Sequence, residues 1–163
     1  MNRTKNFLII ICVALVFVAS FLIMSALTKD PQPAIDFVAG THTGEVISLY
    51  DNLGKTPTAL IFIDPEVEGS NEILKKFIAR KDKIDVIAIS VSELPEQEQK
   101  KLLPEGWETL PKLCFEKGNA VEKYNIGNAP ITYFIDKDCY VVDAYPAGIK
   151  DETIDKKIEK LNK

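Results

Sequence analysis

Thr58-Ala59-Leu60-Ile61-Phe62-Ile63-Asp64 is a short, almost wholly apolar run that reads as a buried strand. A second such run follows at Ile84-Asp85-Val86-Ile87-Ala88-Ile89-Ser90-Val91. Between them Ser70 is placed to cap a helix whose Ile73, Leu74, Phe77 and Ile78 fall on one face. Two strands this apolar, joined through a helix, predict a parallel pair covered on both sides. Working outward, Val46, Ile47 and Leu49 predict a short strand, and Leu94 to Leu103 a helix. Lys112 to Glu116 reads as a strand and Ala120 to Tyr124 as a helical turn or two. Ile131–Asp136 and Tyr140–Tyr145 flank a tight turn at Lys137-Asp138, an antiparallel hairpin, and Asp151–Leu161 spaces Ile154, Ile158 and Leu161 as a helix does. The expectation is an α/β fold with a mixed sheet and helices on both faces.

The chain has 163 residues, 46% hydrophobic and 27% charged, and its mean hydropathy is essentially zero. That average joins two unlike segments. No Asp or Glu precedes Asp30, so residues 30–163 hold all 24 acids against 17 Lys/Arg, a net charge of −7. A domain of that size buries about two-thirds of its unfolded surface around one core. An acidic body without a basic stripe argues against nucleic acid as partner. Three cysteines are too few to build a disulfide scaffold.

Residues 7–27 contain no charge. As a helix they would reach about 31 Å, the thickness of a bilayer's hydrocarbon core. The expected organisation is a tail at 1–6, a transmembrane signal-anchor at 7–27, a proline-stiffened spacer at 28–33 and a domain at 34–163. Arg3 and Lys5 outweigh Lys29, which carries Asp30 beside it, so the tail is expected in the cytoplasm and the domain outside the cell membrane. Cleavage is the rival reading. Its best small-residue site, Val18-Ala19-Ser20, would leave an exposed apolar start, and Met24-Ser25-Ala26 has a poor residue at its third-last place. Cys12 lacks the preceding small residue of a bacterial lipidation site.

Three local sequences then bring a family into view. Pro33-Ala34-Ile35-Asp36-Phe37, with Gly44-Glu45-Val46-Ile47-Ser48-Leu49 after it, resembles the lead-in of thioredoxin-like proteins, in particular the membrane-tethered thiol-disulfide oxidoreductases and redoxins of bacteria. Tyr124-Asn125-Ile126-Gly127-Asn128-Ala129-Pro130-Ile131-Thr132-Tyr133-Phe134-Ile135-Asp136 is similar to the stretch around their cis-proline, and Gly148 to the glycine after their last hairpin strand. The resemblance spans nearly all of residues 33–163 and implies a three-layer thioredoxin-like fold.

It fails where the chemistry should be. The family carries Cys-x-x-Cys at the start of the helix after the buried strand, where the helix N-terminus lowers the first thiol's pKa from about 8.5 to about 7 or less. Counting from the strand here puts Val67 at the nucleophile's position and Ser70 at the resolving one, with Glu68-Gly69 between. The acidic residue that some relatives bury in the strand falls on Ile61. A shift of one or two residues rescues nothing, because no cysteine lies between Cys12 and Cys114. A peroxidase reading meets the same gap.

Cys114, in Leu113-Cys114-Phe115, reads as an apolar core residue. Cys139 follows Lys137-Asp138, where relatives commonly have glycine, so an exposed thiol on unusual backbone angles is expected, reactive, intermolecularly bonded or bridged to Cys114. Asp64, Glu66 and Glu68 read as solvated loop charge rather than as converging metal ligands. His42, the only histidine, reads as a solvent-facing loop residue. Pro95 to Lys101 reads as a solvated helix face, and Trp107 as a core cap or an exposed contact.

No catalytic residue, metal or cofactor is therefore expected. The resemblance leaves a peptide-binding groove made by Glu66, Val67, Glu68, Gly69, Ser70, Ala129 and Pro130, apolar at its centre. Three function classes follow: a membrane-anchored extracytoplasmic module that binds a protein or peptide, a thiol-disulfide oxidoreductase working through Cys139 or Cys114, and a structural subunit of a membrane assembly held by its anchor.

Overall fold

A computed structural model describes residues 31–163. The anchor at 7–27 and the alternative cleavage sites lie outside the described residues. Among those described, no helix is long and apolar enough to cross a membrane.

Gln32–Lys163 form one compact unit. Its strands are β1 (Gln32–Pro33), β2 (Val38–Thr41), β3 (Val46–Ser48), β4 (Thr58–Ile63), β5 (Asp85–Ser90), β6 (Leu113–Glu116), β7 (Ile131–Ile135) and β8 (Tyr140–Pro146). Its helices are α1 (Leu49–Asn52), α2 (Glu68–Ile78), α3 (Glu96–Leu102), α4 (Ala120–Lys123) and α5 (Asp151–Leu161), with a 3-10 turn at Trp107–Thr109. One sheet runs in the order β1-β8-β7-β4-β5-β6-β2-β3. β4, β5 and β6 are mutually parallel, and the other pairings are antiparallel.

The central strand explains the three layers. Every residue of β4 is buried, and successive side chains leave opposite faces. Ala59, Ile61 and Ile63 meet Ile73, Leu74 and Phe77 of α2, Ile154 and Ile158 of α5, and Trp107. Leu60 and Phe62 meet Phe37, Leu49 of α1 and Ala120 of α4. Each large aliphatic or aromatic side chain so buried contributes about 1.5–3 kcal/mol. Charge fastens the first layer from outside: Arg80 meets Asp151 at 2.9 Å and Asp155 at 2.8 Å, and Lys76 Nζ donates to the Ile149 carbonyl at 2.7 Å. The hydrogen bond to Asp155 is the main cause of a raised Arg80 pKa, and the same bond lowers that of Asp155.

Several local expectations change. Ser70 does not cap α2: the N-cap is Val67, and Ser70 sits buried in the first turn, its Oγ accepting the Asp64 N–H at 3.0 Å. Leu49 leaves the β3 run to begin α1, because its backbone N–H bonds Phe37 O and its side chain is buried. Gln32–Pro33, read as the end of the spacer, pair with Val141 and Tyr140 as β1. β2 was not legible as a strand. It holds its place through Gly118, whose φ is +52° and at which a Cβ would lie 1.9 Å from the Val38 carbonyl oxygen. Gly148 has no left-handed backbone; Ala147 beside it does, at φ +72°. His42 is half-buried rather than solvent-facing, with Nε2 3.0 Å from Leu110 O and its ring edge-on to Trp107. Trp107 is buried and caps the core.

Candidate functional site

The C-terminal end of β4 turns into α2 through Asp64-Pro65-Glu66-Val67. The turn is wound on itself. Asp64 Oδ1 accepts the Glu66 N–H at 3.1 Å, and the Asp64 carbonyl accepts the Val67 N–H at 2.9 Å. Val67, expected from the sequence count at the nucleophile's position, stands at the N-cap of α2, 39% exposed and unable to cap the helix with its side chain. First-turn N–H groups of a helix have no partner within it.

Gly69 lies one step into that turn, and a Cβ built on it would approach Pro130 Cγ to 4.0 Å. The Ala129–Pro130 peptide bond is cis. Pro130 is tied to the end of the hairpin, its carbonyl accepting the Ala147 N–H at 2.8 Å. Ala129 differs: among the described residues no hydrogen bond engages its backbone.

Between the β4–α2 turn and the Ile126–Ala129 segment lies a cleft of about 360 Å³. Val67, Val91, Val121 and Ile126 supply its apolar lining, Asp64, Glu93 and Lys117 its charge, and Gly127 to Ala129 its backbone wall. Lys117 pairs with Glu93. Ser92 Oγ donates to Glu66 Oε2 at 3.2 Å, clasping the loops that follow β4 and β5. Of the residues expected here, Val67 and Ala129 line the cleft, while Glu66, Glu68, Gly69, Ser70 and Pro130 support or flank it. Val91, Glu93, Lys117 and Val121 were missed. They reach the cleft from the ends of β5 and β6 and from α4, and only the strand order brings them there.

The thiols are elsewhere. Cys114 is fully buried on β6, and desolvation pushes its pKa up to about 12. Cys139 lies in the β7–β8 turn, at the end of β7 opposite Ala129. Its φ is +67°, but it is half-buried rather than exposed, because it packs with Val141 against the Phe37 side of the core and its carbonyl accepts the Ala34 N–H at 2.8 Å. β5, β4 and β7 separate the two cysteines across the sheet. Three strand spacings come to about 14 Å, against a Cα separation of at most about 6.8 Å in a disulfide. Both are free. Among the described residues no group of three or more His, Cys, Asp or Glu is arranged to hold a metal ion.

No protein-family model matches the chain, and no curated protein matches its sequence. Solved structures do. A thioredoxin-family thiol:disulfide interchange protein from Chlorobium tepidum superposes with a TM-score of 0.68 at 13% identity, covering 82% of this chain and 97% of that one. The thioredoxin domain of a thiol-disulfide oxidoreductase from Bacteroides vulgatus gives 0.62 at 21% identity, over 78% and 96%. StoA from Bacillus subtilis gives 0.60 at 18% identity, over 78% and 98%. The chain thus has the thioredoxin-like α/β fold, and its described residues contain no disulfide-capable cysteine pair.

Proposed function

We propose that this protein is a thioredoxin-like module that binds an extended segment of a partner protein in the Val67–Ala129 cleft and transfers no electrons. The observation that carries the reading is Ala129, a half-buried residue whose backbone has no hydrogen-bond partner among the described residues, in the wall of a cleft lined by Val67, Val91, Val121 and Ile126 together with Asp64, Glu93 and Lys117. A peptide N–H and carbonyl without a protein partner offer both groups to an added strand, which pairs with them. Val67 contributes apolar contact where a thiolate would otherwise stand. Residues 7–27 hold the module at the outer face of the cell membrane in this proposal. β1 joins β8 beside the hairpin turn, so Gln32 lies at the end of β7 remote from the cleft.

The names of the structural neighbours favour a second reading, thiol-disulfide exchange through Cys139. An insulin-reduction assay on the full-length chain, repeated with Cys139→Ser and Cys114→Ser, separates the two. The binding reading expects no turnover above background in any of the three. Turnover in the unaltered chain that Cys139→Ser abolishes would replace it with the exchange reading.

A further inference from the structure

The cleft carries charge that its apolar centre does not balance. Its one lining cation, Lys117, is already paired with Glu93 and also reaches the Val91 carbonyl at 3.5 Å. Asp64, Glu66 and Glu68 have no ion-pair partner among the described residues. Two of them flank Val67 directly in sequence, both exposed, and the third lines the cleft. Glu66 receives a hydrogen bond only from the neutral Ser92 hydroxyl, which fixes the carboxylate over the β5 loop and leaves its charge uncompensated.

We infer that the cleft selects a segment in which an apolar side chain is flanked by lysine or arginine. The inference rests on the binding reading above and adds sequence preference to it. The apolar side chain packs on Val67, Val91 and Ile126. An extended strand sends its neighbouring side chains to the other face and towards the rim, within reach of Glu66 and Glu68. Charge complementarity of this kind governs which partner is accepted and how fast it arrives more than how tightly the apolar centre holds it.

The probes are three synthetic peptides of equal length and labelling, each with a central leucine flanked by lysines, glutamines or glutamates. Binding to the full-length chain in detergent micelles is read by fluorescence anisotropy. The lysine peptide should bind about tenfold tighter than the glutamate peptide at low salt, with the glutamine peptide between them. In about 1 M salt, where the screening length is about 3 Å, the spread should shrink to about twofold. The double variant Glu66→Gln with Glu68→Gln, which keeps the Ser92 hydrogen bond, should reduce it likewise at low salt. Equal affinities, or a preference undiminished in the double variant and so owed to the domain's overall charge, would overturn this inference and leave the binding reading standing. Failure of all three peptides to bind would overturn both.

Discussion

The first turn of α2 packs on Pro130 at Gly69, where an added Cβ would come within 4.0 Å of the proline Cγ. That contact sets Val67, at the helix N-cap, and Ala129, before the proline, on the same cleft.

Introducing thiols at positions 67 and 70 tests the placement of Val67. Val67→Cys with Ser70→Cys puts two sulfurs one helical turn apart, the first at a helix N-terminus that favours a thiolate. Mass spectrometry after mild oxidation should find an intramolecular disulfide reversed by dithiothreitol. A double variant that yields only intermolecular dimers would place position 67 away from the first turn of α2.

Ser70 is buried and accepts the Asp64 N–H at 3.0 Å. Ser70→Ala leaves that N–H without its acceptor beneath the cleft, a loss of about 1–3 kcal/mol. Urea unfolding should show a lower midpoint with an unchanged slope; an unchanged midpoint would mean that water replaces the hydroxyl.

Gly118 has φ +52°, and a Cβ there would stand 1.9 Å from Val38 O. The neighbouring Asn119 Oδ1 accepts the Val38 N–H at 3.1 Å, so the backbone has little room to retreat. Gly118→Ala should cost about 2 kcal/mol or more. Hydrogen exchange should speed up in β2 and β6 first.

Alkaline pH should destabilise the domain. Burial raises the Cys114 thiol from an ordinary 9.0 to about 12 and, as the largest cause, the Tyr124 phenol from 10.0 to about 12. The folded state thus binds protons that the unfolded state releases first. The stability this contributes is complete below about pH 9 and is lost as pH rises towards 12. Urea midpoints should fall across that window, and Cys114→Ala should flatten the part between 9 and 10, where the thiol is the more ionised of the two groups in the unfolded chain. A pH-independent midpoint would contradict the burial of both groups.

Much of this molecule could be read before folding it. The two apolar strands, the helix between them, the hairpin and the last helix follow from local periodicity, which the structure keeps to within one to three residues. The absence of any cysteine between Cys12 and Cys114 was equally legible, because it needs only the sequence. What was not legible depends on distant partners. β2 alternates too little to announce itself and exists because Gly118 lets β6 turn under it. Ser70 carries a capping residue's chemistry one turn too late, because the β4–α2 turn folds back and offers its own N–H. Val91, Glu93, Lys117 and Val121 lie up to 30 residues apart in sequence and converge only through the strand order.

Whether the Val67–Ala129 cleft holds an extended partner segment is decided by site-specific photo-crosslinking in intact membranes. A photoreactive residue at position 67 should join one contiguous stretch of a partner protein, identified by peptide mass spectrometry, and the same residue at position 138, in the hairpin turn, should not. Crosslinking from position 138 with none from position 67 would contradict the account.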